Sequence, residues 1–354
     1  MSDAGARRAA RAIDALRRGW PFRVTGTDGA LDLLAVESAR DAALGDFDSR
    51  DVLLSGERAV TLKLTNQRPA ATPGPVRLAN AADTVAAALA IADPALDLAN
   101  PLKGPFRTIA TGSDAAAAAA AAAMTMARHA GLLPAFFVRE AAGNMETECS
   151  VEDVAALLDP ARLEIAARAR LPVEASESAE IVAFRSPEEA SDHVALVIGK
   201  RDAHPPVVRL HSECLTGDVL GSLKCDCGPQ LHAALHAMAD APWGVLLYLR
   251  QEGRGIGLVN KLRAYALQDQ GYDTVDANLR LGFPVEARDF AIAGRMLELL
   301  HIPRIRLMTN NPEKVARLEK EGVEVVERIP LALPTNKYNE QYLATKRDRT
   351  GHQL

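Results

Sequence analysis

Four apolar runs in the second half of the chain each end in polar residues, and helical patterns lie among them. The runs are "HVALVIG", "PPVVRLHSE", "WGVLLYLRQ" and "IPRIRLMTNN". The helical stretches are "CGPQLHAALHAMAD", "GLVNKLRAYALQDQG" and "RDFAIAGRMLELLH", whose apolar residues recur at helical spacing. Strand alternating with helix restricts such a chain to an α/β layer architecture. In sheets of this kind ligands settle at the C-terminal ends of the strands. His211, Glu213, Glu252, Arg254, Thr309 and Asn310 fall there.

At 354 residues the chain is too long for one core, so two domains are expected. Residues 1–165 are rich in Ala, Leu and Asp and hold almost no cluster suited to catalysis. "GSDAAAAAAAAAMTMARHAGLLP" predicts one helix, capped by Asp114, closed by Gly131 at C′ and stopped by Pro134. The N-terminal "MSDAGARRAARAIDALRRGW" predicts an amphipathic helix with Ala9, Ile13 and Leu16 on one face. It lacks the apolar stretch of a signal peptide. No run is long and apolar enough to span a membrane. Residues 166–185 read as a linker or crossing strand, and 186–354 as the second domain. A net charge of −5 argues against a nucleic-acid polymer as partner but leaves a single nucleotide open.

Cys214, Cys225 and Cys227 sit close together in "HSECLTGDVLGSLKCDCG", while Cys149 stands alone. This is no disulfide framework, and a reducing cytoplasm is the expected compartment. The spacing C-x10-C-x-C offers three thiolates and leaves a fourth tetrahedral position free, as in catalytic rather than structural zinc sites. Three unrelated buried cysteines fit poorly beside Ser212, Lys224 and Asp226. A redox pair at Cys225 and Cys227 remains an alternative. Zinc lowers the pKa of bound water to about 7 and so permits hydrolytic attack on carbon. His211-x-Glu213 shares this chemistry loosely with the nucleobase deaminases, whose cysteine spacing differs.

"YLRQEGRGIGL" (Tyr248–Leu258) leaves a strand and enters a helix. Its glycines let backbone N–H groups approach an anion, and Arg250 and Arg254 add charge. Glu286 and Arg288 in "EARDF" and the stretch Thr309–Lys314, "TNNPEK", add donors and charges near further strand and helix ends. Singly, each is a surface feature or a cap. Together they describe a zinc site beside a polyanion cradle, fit for hydrolysing a nucleoside triphosphate at its base.

"RLHSECLTGDVLGSLKCDCGPQL", "YLRQEGRGIGLVNKLRAYALQDQGYDTVDAN" and "LMTNNPEKV" strongly resemble the GTP cyclohydrolase II family, over roughly residues 185–354. The resemblance implies conversion of GTP to formate, pyrophosphate and 2,5-diamino-6-ribosylamino-4(3H)-pyrimidinone 5′-phosphate, the opening step of riboflavin synthesis. It implies one zinc per subunit, magnesium on the phosphates, and a homodimer. By motif, Cys214, Cys225 and Cys227 correspond to the zinc ligands. Arg209, Leu210, His211, Ser212, Glu213, Gln230, Glu252, Gly253, Arg254, Thr274, Thr309 and Lys314 correspond to GTP contacts. Tyr265 matches a tyrosine of the ring chemistry, and Arg288 the arginine that attacks the α-phosphate. Glu286 stands where the family usually has an aspartate as proton acceptor, one methylene longer.

The first half is similar in fragments, "AIDALRRGWPF" and "MARHAGLLPAFFVRE", to 3,4-dihydroxy-2-butanone 4-phosphate synthase. Where that family carries an acidic, magnesium-binding loop, this chain reads "VTGTDGALDLL". Where it carries a histidine segment, this chain reads "GSDAAAAAA". A synthase-like domain without its activity is therefore expected, followed by a mixed-sheet catalytic domain, α/β (α+β) overall. Two alternatives remain: a zinc-bearing GTP sensor without turnover, and a relative that opens another nucleotide ring.

Overall fold

Among the described residues, the apolar runs form strands in two mixed seven-stranded sheets, each flanked by helices. The computed structural model describes residues 3–71, 73–189 and 191–353. Packing divides the chain into two units. The first holds the residues up to Asp159 together with Gly255–Ala287. The second holds Pro160–Arg254 and the residues from Arg288 onward. This differs from the contiguous boundaries expected from the sequence.

The first sheet contains β1 (Phe22–Thr25), β2 (Ala30–Ala35), β3 (Val52–Leu54), β4 (Val76–Leu78), β5 (Thr108–Ile109), β6 (Ala135–Glu140) and β7 (Glu148–Ser150). Their order is β5-β4-β3-β6-β2-β1-β7. Neighbours are antiparallel except for β1 and β7. Side chains alternate across the central strands. Leu31, Leu33, Phe136 and Val138 enter one core, while Leu34 and Phe137 enter the other. This is the period of two that strand geometry imposes. Both faces are covered, which is why β6 opens on an unbroken apolar run and β2 is apolar except for Asp32.

Helices Asp3–Arg18 and Asp114–Ala130 contribute to the first of these cores. Ala9, Ile13 and Leu16 are buried in it as expected. Ala116, Ala119, Ala120, Ala123 and Ala127 line the buried stripe of the alanine helix at the spacing of one helical face. Its N-cap is Ser113 rather than Asp114: the Ser113 hydroxyl accepts from the Ala116 N–H at 3.3 Å. Asp114 occupies the first helical position, where its charge complements the helix dipole. Gly131, at φ 76°, closes the helix as predicted.

The β1–β2 turn, within "VTGTDGALDLL", is closed by Gly26 N–H donating to the Gly29 carbonyl at 2.7 Å. A Cβ on Gly26 would lie 2.6 Å from the Ala115 carbonyl oxygen, and one on Gly29 would lie 2.7 Å from Ser113 Oγ. The β1–β2 turn and the start of the alanine helix thus pack tightly on each other. Asp32 faces away from them and is paired with Arg23 at 2.7 Å.

The second sheet contains β8 (Glu164–Arg170), β9 (Ala179–Arg185), β10 (His193–Gly199), β11 (Val207–Ser212), β12 (Trp243–Leu249), β13 (Arg304–Met308) and β14 (Glu324–Ile329). The order is β14-β13-β11-β12-β10-β9-β8. Of the two readings of residues 166–185, linker or crossing strand, the strand holds: they supply most of an antiparallel strand pair. Strands β11 to β14 are parallel, and β8 to β10 run antiparallel to their neighbours. Helix Ala291–Leu299 packs on one face and Cys227–Ala239 on the other. Ser212 pairs with Leu249, and Val208 with Leu307. The loops after β11, β12 and β13 consequently leave the sheet along one edge. Among the described residues, no helix is long and apolar enough to cross a membrane.

Candidate active site

Strand β11 ends at Ser212, and the chain then makes a single π-helical turn, Leu215–Val219, with Cys214 at its start. Cys214 Sγ accepts the Gly217 N–H at 3.3 Å. Cys225 and Cys227 reach the same place at the beginning of helix Cys227–Ala239. The three sulfurs lie within 4.8 Å of one another, and Cys214 Sγ is 3.7 Å from Cys225 Sγ. A disulfide needs about 2.05 Å, and none of the four cysteines is in a disulfide. Zinc–thiolate bonds of about 2.3 Å in a tetrahedron put sulfurs about 3.8 Å apart. Cys214 and Cys225 have that spacing, the third sulfur lies within 4.8 Å of both, and three soft donors suit zinc. Hydrogen bonding to Cys214 raises the Cys225 thiol above its ordinary value. Contacts with Cys214 and Cys225, then burial, raise Cys227 well above it. Packed thiols oppose one another's ionisation, and a divalent cation reverses that direction.

Space explains the convergence. A Cβ at Gly217 would lie 2.8 Å from Cys225 Sγ, 2.9 Å from Cys227 Cβ and 3.0 Å from Cys214 Sγ. A Cβ at Gly228 would lie 2.3 Å from the Gly217 carbonyl oxygen. The two glycines let the helix start sit directly on the turn.

Asp218, which sequence reasoning did not single out, holds this turn. Its Oδ2 accepts from the Cys214 N–H at 3.0 Å and from the Tyr248 hydroxyl at 2.8 Å. Its Oδ1 is 3.0 Å from His211 Nε2. The His211 and Tyr248 rings stack at 5.5 Å and 15°. Burial, then the bond to Asp218, pushes the Tyr248 phenol up, so it remains a donor. One carboxylate thus fixes a candidate ligand, a histidine and a tyrosine. Outer groups that orient ligands typically contribute about 10–100-fold to metal affinity. Asp218→Asn should weaken zinc binding by about that factor, measured by competition with a chromophoric chelator. Unchanged affinity would remove Asp218 from this role.

Behind the sulfurs, Asp226 pairs with Lys346 at 2.8 and 3.1 Å and accepts from Gln230. Gln230 accepts in turn from Arg209, whose Nη1 donates to the Met308 carbonyl at 3.2 Å. Arg209 is buried, and its Nε has no partner among the described residues. Burial pulls its guanidinium below the ordinary value, against the opposing charge of Asp226, and Arg288 adds a smaller lowering. The unsatisfied buried Nε donor suits an acceptor on a ligand. Beside Asp226 and Gln230 lies a cavity of about 330 Å³, walled by Leu331, Thr335, Leu343 and Arg347.

Of the other expected residues of this unit, Leu210 and Ser212 belong to β11, Glu213, Glu252, Gly253, Arg254 and Thr309 follow β11, β12 and β13, Lys314 is in helix Pro312–Lys320, and Arg288 precedes helix Ala291–Leu299. Glu252 accepts the Leu215 N–H at 2.7 Å, joining the loop after β12 to the cysteine turn. Glu213 pairs with Arg250 at 3.1 Å. Gly253 and Arg254 both have left-handed backbone, φ 63° and 62°, a conformation uncommon for arginine and frequent at functional sites. The Arg254 guanidinium lies 6.0 Å from the Tyr342 ring. Thr309 is buried and accepts the Asn311 N–H at 3.1 Å. Lys314 reaches back to the Leu210 carbonyl at 3.3 Å.

Tyr265, Thr274 and Glu286 belong to the first unit. Tyr265 is on helix Leu258–Asp269, with Lys261 Nζ 5.9 Å from its ring. Thr274 starts helix Thr274–Arg280 and accepts from Gln268 at 3.1 Å. Besides Asp218, sequence reasoning missed Tyr248, Gly217 and Lys346. For Tyr248, the signal was its place one residue before the end of an apolar strand.

The GTP cyclohydrolase II family model matches residues 164–330. The GTP cyclohydrolase-2 of Azospirillum brasilense is 41% identical over 375 residues, covering 99% of this chain and 95% of that protein. The GTP cyclohydrolase-2 of Haemophilus influenzae strain PittGG is 52% identical over 196 residues, 55% of this chain and 90% of its own. The crystal structure of a two-domain 3,4-dihydroxy-2-butanone 4-phosphate synthase from A. baumannii aligns at 17% identity and TM-score 0.30, over 92% of this chain and 100% of that one. The Azospirillum alignment runs through both halves of the chain, and on that similarity this hydrolase belongs to the GTP cyclohydrolase II family.

Proposed function

We propose that the chain opens the imidazole ring of GTP by hydrolysis, with release of formate and pyrophosphate. The product is 2,5-diamino-6-ribosylamino-4(3H)-pyrimidinone 5′-phosphate, and the step begins riboflavin synthesis. The observation that supports this most directly is the thiol trio, spaced for zinc and set at the C-terminal end of β11.

Cys214, Cys225 and Cys227 would hold zinc, which when bound lowers the pKa of water to about 7 and polarises oxygen. The chain's own groups do the rest. Asp218 keeps Cys214, His211 and Tyr248 in fixed orientation. Arg209, Arg254, Arg288 and Lys314 supply the charge that a triphosphate with magnesium requires. Arg288 is assigned attack at the α-phosphate, which breaks the bond to the leaving pyrophosphate, with Glu286 accepting the guanidinium proton; water then cleaves the N–P bond to release the 5′-phosphate. The longer reach of Glu286 alters the distance to that proton, and such distances set rates steeply. The first unit is read as non-catalytic, because "VTGTDGALDLL" and "GSDAAAAAA" lack the acidic cluster and the histidine that the resemblance calls for.

The test uses zinc-loaded full-length protein with magnesium and GTP, following formate and the mass of the pyrimidine. Formate and the diaminopyrimidinone phosphate are expected in equal amounts, with ribulose 5-phosphate left unconverted by the same preparation. GTP binding without formate would replace this reading by that of a sensor. Formate with a different product would replace it by another ring-opening reaction.

A further inference from the structure

We infer that the N-terminal half works as a rigid mount for Gly255–Ala287, and that Arg263 is the positioning residue that fastens it. The inference rests on the functional reading above in one respect: Tyr265, Thr274 and Glu286, which that reading assigns to the reaction, are all carried by this segment.

Three links tie the segment to the N-terminal half. Near its start, Arg263 Nη1 meets Glu37 Oε1 at 2.9 Å and Arg263 Nε meets Asp93 Oδ2 at 2.9 Å. All three side chains are largely buried. Both carboxylates are themselves fixed: Glu37 accepts the Leu133 N–H at 2.6 Å, and Asp93 accepts the Ala95 N–H at 2.9 Å. The planar guanidinium is thereby held in a rigid fork. Asn260, fully buried on the same helix, donates to the Gly131 carbonyl at 3.0 Å and accepts from Arg263 at 2.8 Å. In the middle, Arg280 lies 3.7 Å from Asp97. At the end, Arg128 donates to the Ala287 carbonyl. Between the links, Ile256, Ala264, Leu267, Ala277, Leu281 and Phe283 share a core with the first sheet.

The chemistry of these links indicates positioning as well as stability. An apolar face alone lets a helix turn or slide, because burial is non-directional. A bidentate cation between two fixed anions sets the helix's rotation and height. Tyr265 is two residues beyond Arg263, on another face of the helix, so the fork fixes where that ring points without occupying its side. A half that has lost its own catalytic loops would in this way remain necessary.

The test compares wild type with Glu37→Gln/Asp93→Asn in the zinc-loaded full-length protein. Hydrogen exchange over residues 258–287, kcat and KM for GTP, and zinc content are measured. The expected result is faster exchange on helix Leu258–Asp269 and kcat lower by about 10–100-fold, with KM changed far less and zinc still one per chain. Unchanged exchange, or faster exchange with unchanged kcat, overturns the inference. Should the double variant fail to fold, Arg263→Lys serves instead, since a lysine keeps the charge but cannot bridge both carboxylates. Full kcat in that variant, with faster exchange, overturns the inference equally. If wild type releases no formate, the functional reading falls, while the exchange comparison alone still decides whether these residues hold the segment.

Discussion

Cys225→Ser should leave the chain without bound zinc and lower formate release at least about a thousandfold, because water near neutral pH is no longer acidified. Serine is nearly isosteric, so the fold should survive the change. Its oxygen is harder than sulfur and far less acidic, so the two remaining thiols lack the third soft donor. Zinc per chain, measured by mass spectrometry, and turnover should fall together. Cobalt substitution adds a check, since thiolate-to-metal bands should be absent from the variant. Cys149→Ser is the matched control. Burial pushes that thiol up to about 12, and it sits in the core of the first unit. Zinc bound by wild type but retained at full stoichiometry in Cys225→Ser would mean that the metal sits elsewhere.

Gly217→Ala should have the second-largest effect, through a single methyl group. The backbone at Gly217 is outside the left-handed region, so no torsional strain is involved. The obstacle is space, since the methyl would press on two sulfurs and a Cβ at 2.8 to 3.0 Å. Overpacking of this kind costs about 1–3 kcal/mol. Paid at the ligands, that corresponds to a drop in zinc affinity of about 5–150-fold. Affinity measured by chelator competition should fall, and formate release with it. Gly45→Ala, with nothing within 4 Å of the new Cβ, should change neither. Normal zinc affinity in Gly217→Ala would show that the three cysteines need not approach as closely as they do here.

These two residues also show what the sequence made legible. The cysteines announced themselves by type and spacing, because few chemistries need three thiols so close together. Gly217 looked like any loop glycine, since its constraint comes from atoms brought in by Cys225 and Cys227. Asp218 was hidden likewise: its partners Tyr248 and His211 come from two different strands. Lys346 lies 120 residues from Asp226, and no local pattern connects them. The strands and helices of the second half were readable because burial imposes periodicity. The strand pair in residues 166–185 was less so, because β8 is mostly exposed and lacks an apolar run. Ser113 outcompeted Asp114 as the cap by one residue, within the usual uncertainty of helix ends. The assignment of Gly255–Ala287 to the first unit was not legible at all, because an apolar helix face does not name the sheet it will cover.

That last arrangement has a consequence for how the protein is made. Synthesis runs from the N-terminus, and domains tend to fold as they emerge. Here the first unit cannot finish in that order. When Asp159 has left the ribosome, the face of the sheet bearing Leu34, Leu54 and Phe137 still lacks Ile256, Leu267, Leu281 and Phe283. The nascent chain must carry that partly uncovered apolar surface through the synthesis of β8 to β12, until residue 287 has been made. A shortened protein ending near residue 165 would leave part of the surface uncovered permanently. It should be handled by cells as an aggregation-prone fragment rather than as a domain.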